Sequence, residues 1–372
     1  MDLAFGARER ALADEARAWL AANYAPPPAF TTFDEEVHWG RAWQAKLADA
    51  RWVGIAWPEE YGGRNASPLE VALVNVEYAR SRAPQPVNRV GLNLAAPTLL
   101  AYGTDEQKQR WLRPLLRADD VWCQLFSEPD AGSDLASLRT RADRVDGGWK
   151  LTGQKVWTSY AKQAKWGICL ARTNQDVPKH KGITYMVLDV TAPGVSIRPL
   201  VQITGEAEFN EVFLDDVFVP DACVVGAVDD GWRVANTTLA HERGTNFPLK
   251  EQVVHEVYFE KLAKQVANRL DDVLVGDEVA SAYIELRLLA LSNLRMLSRI
   301  SKGEQPGPES SVVKLQWTSL TQHFSELALR LVPNDPSWSR QFLWSKAASI
   351  AGGTSEVQKT IIGERILGLP RG

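Results

Sequence analysis

Five short stretches of this 372-residue chain carry residue types that could do chemistry. Gln124-Leu125-Phe126-Ser127-Glu128-Pro129-Asp130-Ala131-Gly132-Ser133-Asp134-Leu135 sets an amide, an aromatic ring and a hydroxyl before a Gly-Ser turn. Glycine lets a backbone approach a ligand closely, and the N–H groups of such a turn attract phosphate oxygens. Gly153-Gln154-Lys155-Val156-Trp157-Thr158-Ser159 offers an indole face with a hydroxyl two residues on. Leu239-Ala240-His241-Glu242-Arg243-Gly244 places a carboxylate beside a guanidinium. That pair is either a general base with its partner or a structural ion pair. Near the end, Ile350-Ala351-Gly352-Gly353-Thr354-Ser355-Glu356-Val357-Gln358 is a glycine-rich loop. The fifth stretch, Gly54-Ile55-Ala56-Trp57-Pro58-Glu59-Glu60-Tyr61-Gly62-Gly63, is an early turn. Taken singly, each has a plain structural reading: a polar turn, or a core tryptophan among the chain's 14.

Composition narrows the choice. Hydrophobic residues make up 45% and charged residues 24%, with a net charge of -4. This is an ordinary globular profile without the basic face of a nucleic-acid protein. Cys123, Cys169 and Cys223 are far apart and form no CxxC pair, which suits reduced thiols in a cytosolic protein. The five histidines show no metal-ligand spacing. Met1 to Arg10 carries mixed charge, unlike a signal peptide, and no apolar run approaches the ~20 residues of a membrane span. The expectation is a cytoplasmic protein with no nucleic-acid or membrane partner.

The elements that must position these residues fall into three zones. Residues 1–120 read as an N-terminal α-helical domain, with helices over 8–22, 37–49, 69–80, 92–100 and 104–116. Residues 121–226 switch to short alternating runs at 139–145, 149–152, 166–172, 183–190, 195–200 and 211–220. Strands at this spacing favour a small antiparallel barrel or sandwich. Residues 227–372 return to amphipathic patterns at 253–272, 278–301 and 312–331, as expected of a helix bundle. The two prolines within 332–339 predict a loop there.

Four of the stretches, in order along almost the whole chain, resemble the motifs of the acyl-CoA dehydrogenase family: 54–63, 124–135, 153–159, and 350–358 continuing to Glu364-Arg365. The resemblance implies that family's fold, an α+β multi-domain protein with an N-terminal helical domain, a central antiparallel β-barrel and a C-terminal four-helix bundle. It implies FAD as cofactor, an acyl-CoA substrate and an electron-transfer flavoprotein as acceptor. Carried over, Gln124, Phe126 and Ser127 face the flavin's pyrimidine edge, where donors favour the reduced ring. Gly132 and Ser133 approach pyrophosphate and substrate, Trp157 shields the ring, and Ser159 bonds near N5. Thr354 and Glu356 lie on the cofactor side.

In many family members the residue before the Gly-Thr pair of the last loop is the glutamate that removes the substrate's α-proton. Here it is Gly352. A branch that includes the isovaleryl-CoA dehydrogenases places the base upstream on a Glu-Arg helix, which implies Glu242 as base and Arg243 as its partner or a substrate contact. Burial would raise a glutamate's pKa toward useful basicity. The family's Arg-x-x-Phe-Gly is missing around Asn268 to Val275, and Leu331 to Asp335 replaces a Gly-Gly turn. Both normally grip a neighbouring subunit's nucleotide. The departures resemble a bacterial branch, including steroid-CoA dehydrogenases, several of whose members assemble as α2β2 heterotetramers with a diverged family chain, so the resemblance implies either a homotetramer or such a heterotetramer. The competing readings are a non-catalytic structural subunit and an acyl-CoA oxidase.

Overall fold

The computed structural model of the chain describes residues 6–242, 246–304 and 307–370. The first helices are α1 (Ala7–Asn23), α2 (Phe33–Asp49), α3 (Pro68–Arg80), α4 (Ala96–Tyr102) and α5 (Asp105–Arg117). The strands follow: β1 (Trp122–Leu125), β2 (Arg141–Val145), β3 (Gly148–Ser159), β4 (Trp166–Arg172), β5 (Ile183–Asp189), β6 (Val195–Leu200) and β7 (Phe209–Pro220). The chain closes with α6 (Gly231–Glu242), α7 (Asn246–Gln265), α8 (Val273–Ile300), α9 (Glu309–Leu331), α10 (Pro336–Ala348) and α11 (Ser355–Arg365). Two compact units result, neither continuous in sequence. One draws on Met1–Pro26, Ala66–Ala83 and Arg243–Gly372, the other on Pro27–Asn65 and Pro84–Glu242.

The first unit is helical. Val275, Val279, Ala282, Leu286 and Leu289 recur at helical spacing on α8 and bury with Leu262, Phe324, Leu327 and Trp338 of α7, α9 and α10. Inside this apolar core, His255 lies with Nδ1 2.7 Å from the Glu251 carbonyl and Nε2 3.0 Å from the Thr321 hydroxyl. The carbonyl can only accept, so Nδ1 carries a proton, while the Thr321 hydroxyl beside Nε2 also lies 2.7 Å from the Trp317 carbonyl. On α3, the buried carboxylates of Glu70 and Glu77 each take the Nε of an α1 arginine, Arg8 and Arg17, at 2.7 Å.

Two expectations are corrected here. The helix expected over 253–272 ends at Gln265; a tighter turn follows at Ala267–Arg269, and Asp272 then caps the next helix by accepting from the Leu274 N–H. The loop expected at 332–339 contains the start of α10. Pro336 sits in its first turn, where a missing N–H costs nothing, and Asp335 caps the Ser337 N–H.

The second unit is built on one seven-stranded sheet ordered β1-β4-β2-β3-β7-β6, with β5 added on β4. Antiparallel pairing holds for β2–β3, β3–β7, β4–β5 and β6–β7. β1–β4 is parallel, as is the single β2–β4 pair at Arg141 and Arg172. The whole β2–β3 hairpin separates β1 from β4, which gives the chain the length a parallel return needs.

What seats β1 is a pair of fully buried amides. Asn88 donates to the carbonyls of Leu115 (2.8 Å) and Asp120 (2.9 Å) and accepts the Trp122 N–H at 2.8 Å. Gln44 accepts the Asn88 N–H at 2.9 Å and donates to the Leu116 carbonyl at 2.9 Å. The end of α5 and the first residue of β1 are thus fixed by one side chain. Asn88→Ala should cost about 3 kcal/mol in denaturant unfolding, since several buried groups lose their partner at once. Burial, offset in part by the Glu251 carbonyl, holds the His255 pKa below its ordinary 6.5. The unfolded chain therefore binds the proton first. The stability tied to neutral His255 is full above about pH 6.5 and declines as pH falls below it. Thermal unfolding from pH 7.5 down to 5.5 should show this loss, and His255→Gln should remove that part of it.

Candidate functional site

One irregularity in β3 arranges the candidate residues of the sheet. Lys155 pairs with Val212 and Thr158 with Asn210, so β3 takes three steps where β7 takes two. The result is a β-bulge, and Trp157 within it has a φ of +59°. A non-glycine residue in this left-handed region costs on the order of 1 kcal/mol. Its indole is also 63% exposed, edge-on to Phe209 at 6.1 Å. Neither strain nor exposure of a tryptophan serves packing, so both point to a role outside it.

The bulge also fixes the end of β1. The Val156 N–H donates to the Ser127 carbonyl at 2.9 Å, bringing the backbone of 127 beside 156 and 157. Gln124, Ser127 and Ser159 are half-buried. Among the described residues, the side chains of Gln124, Ser127, Ser133 and Ser159 make no hydrogen bond, so their donors are available. Phe126 differs from expectation in one respect. Its ring is buried edge-on against Tyr185 at 5.9 Å, which leaves the backbone, not the ring, to face a ligand.

After Ser127 the chain turns tightly, with reciprocal bonds between Glu128 and Ala131 at 3.0 and 3.1 Å. Gly132 and Ser133 follow, both exposed, and a Cβ added at Gly132 would meet nothing within 4 Å. Packing does not demand this glycine. The next residues are strapped down by Arg172, which donates to the carbonyls of Ala136 (2.6 Å), Leu138 (3.2 Å) and Lys179 (2.9 Å). The Lys179 ammonium meets the Asp134 carboxylate at 2.7 Å.

Glu242 is the last residue of α6; its side chain, and all of Arg243, lie outside the described residues. The helix leading to it is well anchored. Thr238, fully buried one turn earlier, lies 2.8 Å from the Thr98 hydroxyl and 3.4 Å from the Tyr185 hydroxyl. Thr237 meets Tyr102 at 3.0 Å. Just before α4, Gly91–Ala95 forms a π-helical turn, a local widening frequent near functional sites.

In the helical unit, Thr354 caps α11 by accepting the Val357 N–H at 3.3 Å. Gly352 and Gly353 have φ of +67° and +93°, and the buried Gln358 amide donates to both their carbonyls at 3.2 and 3.3 Å. Glu356 is exposed, and its own backbone N–H and the Thr354 hydroxyl lower its pKa. A negative charge is favoured at a helix start, where the free N–H groups gather.

Sequence reasoning passed over one feature. Glu128 and Lys155 lie within quoted motifs but drew no comment, and they form an ion pair at 2.8 Å with both groups buried. The available signal was alternation: Leu151 and Lys155 fall on the same inward face of β3. Burial alone would raise the Glu128 pKa, but the Lys155 charge and hydrogen bonds from Lys155, Thr140 and Arg139 bring it below the ordinary value.

These residues fit an aromatic dinucleotide. An exposed indole offers a wall, the adjoining strand ends offer unused donors, and an open glycine turn admits a phosphate. Comparison with known proteins gives the family. Models of the acyl-CoA dehydrogenase N-terminal, middle and C-terminal domains match residues 6–119, 123–217 and 229–367. The chain belongs to the acyl-CoA dehydrogenase family, flavin-dependent oxidoreductases whose cofactor is FAD. It is 40% identical over 380 residues to acyl-CoA dehydrogenase IpdE1 of Mycobacterium tuberculosis, covering 96% of this chain and 97% of that one. It is 47% identical over 337 residues to acyl-CoA dehydrogenase FadE34 of the same organism. That match covers 88% of this chain but 46% of FadE34, so the chain spans about half the length of that relative. Among solved structures, the Tcur3481-Tcur3483 steroid ACAD superposes with a TM-score of 0.86 at 28% identity, all of each chain being covered. The ChsE4-ChsE5 complex of M. tuberculosis gives 0.83 at 29%, with equal coverage.

Replacing Trp157 separates strain from function. Trp157→Gly should leave unfolding free energy unchanged or raise it by about 1 kcal/mol, since glycine accepts the left-handed backbone. A loss of about 2 kcal/mol or more in denaturant titration would show that the indole is a packing residue.

Proposed function

We propose that this chain catalyses the α,β-dehydrogenation of an acyl-CoA thioester to a trans-2-enoyl-CoA, with Glu242 as base. The observation that carries this reading is the strained, exposed Trp157 beside the Ser127 strand end, in a chain that matches the family from end to end. Bound FAD supplies a hydride acceptor for the substrate's β-carbon. Gln124, Ser127 and Ser159 offer hydrogen bonds to the cofactor, and Trp157 covers it and limits water. Thr354 and Glu356 are proposed as further cofactor contacts. Gly132 and Ser133 hold pyrophosphate and substrate through the turn's N–H groups. Glu242 takes the α-proton, and Arg243 steadies that carboxylate or the thioester. Glycine at 352 supports this assignment, because no side chain there competes for the role.

The substrate proposed is a bulky acyl-CoA of lipid or steroid breakdown, and the electron acceptor an electron-transfer flavoprotein. Support comes from the steroid ACAD and from the FadE and IpdE relatives. For assembly we favour an α2β2 heterotetramer with a diverged family chain over a homotetramer. Two of the similar structures carry paired names, and FadE34 is long enough to hold a second region of this size.

Anaerobic spectroscopy tests the reading. The purified chain, alone or with its partner, should be yellow and should bleach on addition of a steroid or branched acyl-CoA. Glu242→Gln should keep the flavin spectrum and lose bleaching by several orders of magnitude in rate. Bleaching at the wild-type rate would move the base elsewhere. A chain colourless under every pairing would favour the structural-subunit reading.

A further inference from the structure

We propose that the buried Lys155–Glu128 pair is a positioning device that sets the flavin-facing strand end and the Gly132–Ser133 turn as one piece. The proposal rests on the function proposed above. Lys155 is 0% exposed and Glu128 7%. The ammonium's three protons are all committed: to Glu128 Oε1 at 2.8 Å, the Leu170 carbonyl at 2.8 Å and the Phe126 carbonyl at 3.2 Å. The carboxylate in turn accepts the Arg139 N–H at 2.6 Å and the Thr140 N–H at 2.9 Å.

The two side chains therefore reach every boundary of the site segment. Glu128 opens the loop that carries Gly132 and Ser133, and its carboxylate holds residues 139 and 140, where that loop ends. Lys155 holds the carbonyl of Phe126, next to Ser127, and braces it on Leu170 of β4. Lys155 is also the last regular pair before the bulge, so the residue fixing the loop is two positions from the strained Trp157. Cofactor wall, strand end and substrate turn share one origin.

Stability alone gives a poor account of this arrangement. Apolar side chains of similar volume are commonly as stabilising as a buried ion pair, or more so. What hydrocarbon cannot do is hold three carbonyl or carboxylate oxygens at set directions. Lys155 and Glu128 are positioning residues: they touch neither substrate nor cofactor, and act through Ser127, Trp157, Gly132 and Ser133.

The double variant Lys155→Met/Glu128→Gln removes both charges at nearly constant volume and strands neither. It is compared with the wild-type full chain, with any co-purifying partner, in four measurements. These are thermal unfolding, FAD affinity by flavin fluorescence, visible circular dichroism of the bound flavin, and coenzyme A affinity by calorimetry. The expected result is a folded protein with a lowered Tm, since the Phe126 and Leu170 carbonyls lose a donor, together with an altered flavin dichroism and coenzyme A binding weakened about tenfold or more, the penalty of a misplaced contact. A double variant matching wild type in dichroism and coenzyme A affinity overturns the proposal. If the double variant does not fold, Glu128→Asp decides, since it keeps the charge and retracts the carboxylate by one methylene. Weakened coenzyme A binding at unchanged Tm supports the device, and unchanged binding overturns it. A wild-type chain that binds neither FAD nor coenzyme A overturns the functional reading, and the inference falls with it. Wild-type binding beside an indifferent variant overturns the inference alone.

Discussion

A fully buried ammonium survives only where each of its protons meets an acceptor, and Lys155 imposes that condition on the strands around it. Its acceptors lie in β4, at the end of β1 and on Glu128, so the relative placement of three chain segments becomes a matter of charge solvation rather than of packing alone. Loosening any one of them would strand a charge in a low dielectric. Apolar contacts tolerate small slides; this arrangement does not. The bulge beyond Lys155 therefore begins from a fixed point, and the left-handed Trp157 is held against its own conformational cost.

The same logic of commitment recurs farther from the site. Asn88 and Gln44 fix the start of β1 through buried amide bonds. The Thr98–Thr238–Tyr185 hydroxyls fix α6 against α4 and β5. Each is polar, buried and largely satisfied, and each serves a segment that carries a proposed functional residue. The apolar residues supply the bulk of the stability, while these groups decide which of many compact arrangements is adopted.

Much of this was legible in the residues. The alternation at 166–172 and 183–190 marked β4 and β5, and the Asp146-Gly147-Gly148 turn marked the β2–β3 hairpin. The helical periods of α8 and α9 were equally plain. What failed had local causes. α10 begins on a proline, which reads as a breaker unless the preceding Asp335 is taken as the helix cap. β3 runs to Ser159, but a register shift between Leu151 and Gly153 and the half-buried run 152–154 break the alternation, so the sequence showed a strand ending at 152. The site motifs were readable as motifs, yet their internal ion pair was not. Pairing residues 27 positions apart requires the register of β3 within the sheet, and register is a property of the sheet. The division into two compact units, each stitched from separated segments, is equally invisible to a linear reading.

Gly352 has a backbone φ of +67°, and the Gln358 amide holds the carbonyls of both glycines in that loop. Any L-residue placed there must adopt a conformation that only glycine takes freely. A glutamate at 352 would carry the same kind of backbone cost that Trp157 bears, on the order of 1 kcal/mol, in a loop whose two carbonyls are already committed to Gln358. The loop's left-handed backbone thus favours glycine at 352 in its own right, whichever residue serves as base.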